Sequence, residues 1–451
     1  MITVKKFGGT SVQTPQAMRR AADIVSKDQT TRVVVLSAVR GVTDKLLAWV
    51  DADQNGRATI AREIRQIHLD LINALELTAC EKVILETMDF LKAKSSQKIS
   101  LADLDEVLSI GEKLSSFLFV NFMTQRGHRV RWLDAKEVIC TDNHHGKAVP
   151  DIEAIRLNCK KKNLHSTDTV FVTQGFIGTT KNGYTTTLGR GGSDYSAALF
   201  AEGIEASELH IYTDVPGVYT MDPNIVPSAK PISCLGFGEM AEMANFGAKI
   251  LHPATLVPCV RGKIPVKILS TFHEDHEGTS ILPFSDVKKD SESPSVRAIT
   301  MRPKQVLVTI RSLNMLDTYG FLATVFGVLS KYKISVDLIT TSEVSVALTI
   351  DGTSVGSNGV NPFNNAELLA ELNQISELSV EESLTLIAVI GKGLNVPGMV
   401  QNILSNLHHY TVRLICFGAS PSSVGILVKN DDAPNVARSL HEAFIERNSH
   451  V

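Results

Sequence analysis

The chain has 451 residues, 43% of them hydrophobic and 21% charged, and a formal net charge of −3. That length exceeds what one hydrophobic core usually holds, so two or more domains are expected. The charge balance offers no basic face for nucleic acid, and no apolar run reaches the roughly 18 residues that span a bilayer.

Met1–Phe7 lacks the apolar segment of a signal peptide, and the six cysteines are scattered with no CxxC. Both features predict a cytoplasmic chain with reduced thiols. Thr3–Phe7 reads as a strand running into Gly8-Gly9. Thr14-Pro15 predicts an N-cap with proline at the first helical position, followed by Met18, Ala21, Ala22 and Val25 at helical spacing. Val33–Leu36 is a continuous apolar strand, as in a sheet covered on both faces. Long helices are expected from Ile60 to Leu91, and a further amphipathic helix over Leu104–Met123 with Gly111 and Glu112 inside it. Val130–Leu133, Thr169–Thr173 and Leu209–Thr213 read as strands, and Ser193–Ala201 as a helix after a glycine-rich turn. This alternation predicts an α/β domain with a central, mostly parallel sheet between helices.

The composition changes near Pro283, where residues 286–295 (DVKKDSESPS) are polar and broken by proline. A weak repeat follows. Gly320–Ile350 and Pro397–Val428 share a helix, strand, turn, strand plan, preceded by the strands Val306–Arg311 and Leu384–Ile390, and Pro434–Ile445 adds a last helix. Two small units of this kind suggest a paired regulatory module.

Four clusters carry candidate chemistry. Lys6-Phe7-Gly8-Gly9-Thr10-Ser11 comes directly off a strand. Adjacent glycines let backbone amides approach a bound anion, with Lys6 beside them. Thr185–Asp194 places three glycines and Arg190 before a helix N-terminus, which favours an anion; Asp194 there also suits the helix dipole. Tyr212–Tyr219 follows a strand with a polar Pro-Gly turn, at the end of the sheet where α/β folds bind ligands. Phe246–Pro253 supplies Lys249, a second candidate phosphate lysine, and His252, which reads better as a structural residue. Alone, each cluster is also compatible with an ordinary turn or a solvated charge. No P-loop, dinucleotide fingerprint, protein-kinase motif or zinc spacing is present, and no set of protein metal ligands is expected.

Taken in order, KFGGTSV, TTLGRGGSDYSA, TDVPGVYTMDP and FGAKILHPAT resemble the aspartate kinases of the amino-acid kinase superfamily over essentially the whole chain. The C-terminal part is similar to the tandem, ferredoxin-like ACT domains of the monofunctional, lysine-sensitive branch. The resemblance implies a catalytic domain over 1–285, a linker over 286–304, an inserted first ACT domain over 312–382, and a second made of 305–311 with 383–451. It also implies phosphorylation of L-aspartate by ATP with Mg²⁺. Lys6, Asp194 and Lys249 would be catalytic. Ser37, Thr43, Glu112, Phe176, Arg190 and Asp194 would form the aspartate pocket. Lys6, Gly8, Gly9, Thr213, Asp214, Tyr219 and Lys249 would hold the nucleotide. Met315, Thr318, Phe321, Leu322, Ser335, Val336, Asp337, Thr341, Ser342 and Glu343 would line a site for L-lysine as effector. A homodimer or dimer of dimers through the ACT domains is implied, with neither nucleic acid nor membrane as partner. Where the family commonly carries arginine after the Asp-Pro of the third motif, this chain has Asn224.

Overall fold

A computed structural model describes residues 1–166, 168–248, 250–283, 296–316, 319–352 and 361–447. The chain divides into two compact units. The first takes residues 1–218, 231–237 and the stretch from 250; the second takes 219–230, 238–248 and 296–447. No helix among the described residues is long and apolar enough to cross a membrane.

The first unit is built on an eight-stranded sheet. Its spatial order is Val130–Leu133, Val170–Gln174, Thr31–Leu36, Thr3–Phe7, Glu208–Thr213, Val266–Ser270, Thr279–Leu282 and Cys234–Gly236. All neighbours run parallel except Thr279–Leu282 against Val266–Ser270. Thr3–Phe7 and Thr31–Leu36 are buried at every position, as expected of strands covered on both faces. Pro15–Lys27 is capped by Thr14, whose side chain accepts from the Ala17 amide.

The long helices expected from Ile60 to Leu91 are Gln54–Leu75 and Glu81–Lys94, the first ended by Glu76, which turns left-handed (φ 59°). The helix expected over Leu104–Met123 is two, Leu101–Leu108 and Ile110–Gln125. At the break the Ser109 hydroxyl donates to the Glu106 carbonyl, a local bond that competes with the helical ladder. The second piece is not amphipathic. Leu114, Leu118, Phe119, Phe122 and Met123 are buried, and so are Glu112, Ser115 and Ser116. It is a helix inside the core.

The second unit carries a six-stranded antiparallel sheet in the order Leu338–Thr341, Ser345–Asp351, Val296–Arg311, Glu377–Gly391, Ser423–Lys429, Leu414–Cys416. The two long central strands serve two cores. Val306, Val308 and Ile310 pack with Val325 and Leu329 of the helix Phe321–Lys331. Val296, Ile299, Ile387 and Val389 pack with Val436 and Leu440 of the helix Ala433–His441. The register shifts between Arg302 and Leu307, and Lys304 and Ser383 both adopt positive φ (61° and 60°), where one core gives way to the other.

This pairing crosses the expected division. Residues 305–311 pair with Ser345–Asp351 on one side and with Glu377–Leu384 on the other. Residues 296–302, within the expected linker, are strand and pair with Leu386–Gly391. Segments 219–230 and 238–248, expected in the catalytic part, pack on this same sheet. The Ile299 amide donates to the Thr220 carbonyl at 2.8 Å, and Met221 and Val226 join the core of Ile299 and Val389. Truncating Ile299, 1% exposed, to alanine should therefore destabilise the second unit by about 2–5 kcal/mol in denaturant unfolding.

Candidate active site

Four neighbouring parallel strands release their C-terminal ends side by side, and amides from one end close on carbonyls of the next. Gly175 N donates to Leu36 O at 2.8 Å, Ser37 N to Phe7 O at 3.1 Å, and Gly8 N to Tyr212 O at 3.1 Å. The result is a row of turns holding Phe176, Ser37, Gly8, Gly9, Thr213 and Asp214. Open α/β sheets bind ligands at such an edge.

Strand alternation sends Lys5 and Lys6 to opposite faces. Lys5 goes into a buried group with Asp28 (2.9 Å), His210 and Tyr212, and burial lowers its pKa against the pull of Asp28. Lys6 goes to the row of turns. Its Nζ lies 2.6 Å from Asp194 Oδ1, with both side chains largely buried. Asp194 stands in the first turn of Gly192–Gly203, so residues 188 apart in sequence form one ion pair at the helix N-terminus.

Glu112 adds a second buried acid. It is 4% exposed, and its Oε2 has no hydrogen-bond partner. Burial pushes its carboxyl up to about 8, opposed by the Ala38 amide, its own amide and the charge of Lys6. A buried acceptor of this kind, unpaired within the protein, suits a cationic ligand group.

The arginine loop is held from two sides. Gly191 (φ +72°) caps the helix Gly192–Gly203, and a Cβ there would fall 2.3 Å from His252 Cβ. His252 in turn caps Pro253–Gly262, its Nδ1 accepting from the Ala254 amide. Burial, with Arg190 next, holds its imidazole below the usual pKa. This is a neutral structural histidine. On the other side Asp105, wholly buried, receives Gly146 N at 3.1 Å, His145 Nδ1 at 2.7 Å and the Thr187 hydroxyl. Thr187 ends the strand that leads to Gly189 and Arg190.

The remaining predicted residues distribute as follows. Thr43 lies in the first turn of Val42–Asp51, and Arg190 is exposed in its loop. Phe176 takes a positive φ of 68°, fixed by its amide donating to Ser196 Oγ. Tyr219 belongs to the second unit. Lys249 and Thr318 lie outside the described residues. Asn224 closes a local turn on Asp222 through its amide and side chain. Met315 ends a short 3-10 turn, and Phe321 and Leu322 open the helix Phe321–Lys331. Ser335, Val336 and Asp337 precede the edge strand Leu338–Thr341. Thr341, Ser342 and Glu343 follow along it in exposed positions.

Asp105 was not singled out from the sequence, where an acid on a helix reads as solvated. Asp105→Ala would leave the buried Thr187 hydroxyl without its acceptor and release His145 and Gly146, and a loss on the order of 2 kcal/mol is expected in chemical denaturation. Asp105→Asn, which keeps an acceptor, should lose less.

The amino acid kinase family model matches residues 1–270, and an ACT domain model matches 308–356. The chain is 43% identical to the lysine-sensitive aspartokinase 3 of Escherichia coli over 452 residues, covering 99% of each protein. It is 32% identical to an aspartokinase of Chlamydia pneumoniae over 449 residues, again covering 99% of each. Two crystal structures of E. coli aspartokinase III are similar at 42% identity, covering 98% of this chain and 99% of theirs. The one with aspartate and ADP (R-state) has a TM-score of 0.87, and the one with lysine and aspartate (T-state) has 0.81.

Proposed function

The chain belongs to the aspartokinases of the amino acid kinase family, and from that membership we propose how its residues divide the work. The reaction transfers the γ-phosphoryl group of ATP to the β-carboxylate of L-aspartate, giving 4-phospho-L-aspartate and ADP, and opens lysine, threonine and methionine biosynthesis. The observation that carries the assignment is the meeting of the Lys6–Asp194 pair with the buried carboxyl of Glu112, whose Oε2 has no hydrogen-bond partner, at the sheet's edge.

The nucleophile is a carboxylate, ionised at neutral pH, so no strong base is required. What opposes reaction is repulsion between two anions and their misalignment. Lys6, fixed by Asp194, supplies a preorganised positive charge for the transferring group, and the amides of Gly8 and Gly9 lie next to it. Arg190 offers a two-pronged donor for the substrate α-carboxylate. Glu112 takes the α-ammonium, which relieves its own unpaired burial. Ser37, Thr43 and Phe176 complete the pocket. Thr213 and Asp214 serve the nucleotide, and Tyr219 and Lys249 keep the nucleotide role that the family resemblance assigns them. Among the described residues no group of three His, Cys, Asp or Glu side chains is placed to hold a metal alone. Mg²⁺ would be held mainly by the nucleotide's phosphates, whose charge it would offset when bound.

Lysine is the proposed feedback inhibitor. Asp337 and Glu343 offer acids for its cationic groups along the edge strand, with Met315, Thr318, Phe321, Leu322, Ser335, Val336, Thr341 and Ser342 as the other contacts. The same edge supports a dimer or dimer of dimers. Leu338–Thr341 is the last strand of its sheet with Ile339 exposed on it, and Leu322 and Phe326 are exposed on the helix Phe321–Lys331. The scattered free thiols suit a cytoplasmic location.

Aspartyl phosphate trapped as the hydroxamate, with Mg-ATP and L-aspartate, tests the reading; lysine alone among lysine, threonine and methionine should suppress it. Absence of product with aspartate would overturn the substrate assignment. Lys6→Ala should lower kcat by ~10²-fold or more, and a near-normal kcat would remove its role. Glu112 titrates higher folded than unfolded. Its protonated form therefore favours the empty fold, a contribution present below about pH 4.5 and lost as pH rises through about 8. Binding an ammonium needs the ionised form. KM for aspartate should fall as pH rises from 6 to 8.5, and Glu112→Gln should raise KM by on the order of 10²-fold and flatten that profile.

A further inference from the structure

Arg302 sits at the junction of three things in the second unit. Its Nη1 lies 3.2 Å from Asp337 Oδ1 and also donates to the Asn245 carbonyl at 3.3 Å; its Nη2 donates to Asp351 at 3.1 Å. Asn245 is the last residue of the helix Phe237–Asn245, and the turn that follows is seated on the same strand. Gly247 has φ +107°, and a Cβ there would stand 2.4 Å from the Met301 carbonyl and 3.1 Å from Arg302 Cβ. Phe246 packs under the sheet with Leu338 and Leu386. Beside Arg302 and Asp337 a cavity of about 420 Å³ opens between Asn245, Phe246, Val336 and Phe417.

We propose that Arg302 couples the effector site to the reaction: a lysine ammonium that takes Asp337 releases Arg302 Nη1, and with it the seat of the turn that leads to Lys249. The inference rests on the lysine assignment made above. Nη1 is the shared donor, so the acid and the Asn245 carbonyl hold one atom in place together. Asp337 Oδ2 is buried without a hydrogen-bond partner, so the acid has an unused face for a cation. A second positive charge arriving there repels the guanidinium, which retreats toward Asp351. Asn245 O then loses its donor, and the Gly247 turn loses the side chain that frames it. An effector shifts an equilibrium only by contacts that differ between its states; the Arg302–Asp337 pair is such a contact.

The consequence is two-sided. Removing Arg302 takes away the cation that competes for Asp337, so lysine should bind more tightly; it also removes the connection, so bound lysine should inhibit less. Lysine binding by calorimetry and hydroxamate turnover at saturating lysine would be measured for the full chain and for Arg302→Met, which keeps the stem. About tenfold tighter binding is expected, with at least half of the uninhibited rate retained. Should Arg302→Met fail to fold, Arg302→Lys decides. One ammonium can hold Asp337 but cannot also bridge Asn245 and Asp351, so affinity near the parent's with reduced maximal inhibition is expected. Inhibition as complete as the parent's in the folded variant overturns the coupling while leaving lysine as the effector. A parent chain that binds no lysine overturns both.

Discussion

Two neighbouring strands, Val296–Arg311 and Glu377–Gly391, pair along nearly their whole length, and the second unit is assembled around that ladder. Each strand is long enough to enter two cores in succession. The ladder therefore joins the two repeats by backbone hydrogen bonds rather than by a hinge. It also recruits segments from far upstream. Thr220 bonds to Ile299 on one side, and its hydroxyl lies 2.9 Å from the buried His441 on the other. The Gly247 turn rests on Met301. Two pieces of chain that sequence order puts within the catalytic part thus share their packing with the six-stranded sheet.

In the first unit the governing constraint is the cost of charge away from water. Lys6, Asp194 and Glu112 are each largely withdrawn from solvent, and only the first two answer one another. Asp105 shows the satisfied alternative, a buried carboxylate with backbone, imidazole and hydroxyl donors together. One acid holds a loop through its donors; the other leaves its Oε2 without a hydrogen-bond partner. The difference is visible in partners, not in residue type.

The order of four motifs made the family and the α/β architecture legible before any coordinates. The sequence singled out Lys6 beside the glycine turn, but only the structure pairs it with Asp194 and sends Lys5 to Asp28 on the opposite face. Asp105 was hidden because its partners lie 40 to 82 residues away, a separation that carries no local pattern. The break at Ser109 was hidden for the opposite reason: a single serine bonding to its own helix leaves the apolar spacing undisturbed. Residues 296–311 form one uninterrupted strand that enters both cores, and such a strand carries no punctuation in the sequence. The boundary is written in Lys304 and Ser383 at positive φ, positions usually marked by glycine.

The edge strand Leu338–Thr341 is paired to Ser345–Asp351 on one flank, and beyond its other flank lies Leu414–Cys416, close by but joined to it by no ladder among the described residues; Ile339 is exposed. A partner that bonded to the amides and carbonyls left without a ladder there would contribute free energy that grows with the logarithm of its concentration. The robustness of that border would then be a matter of mass action, bare in a dilute chain and covered in a crowded one.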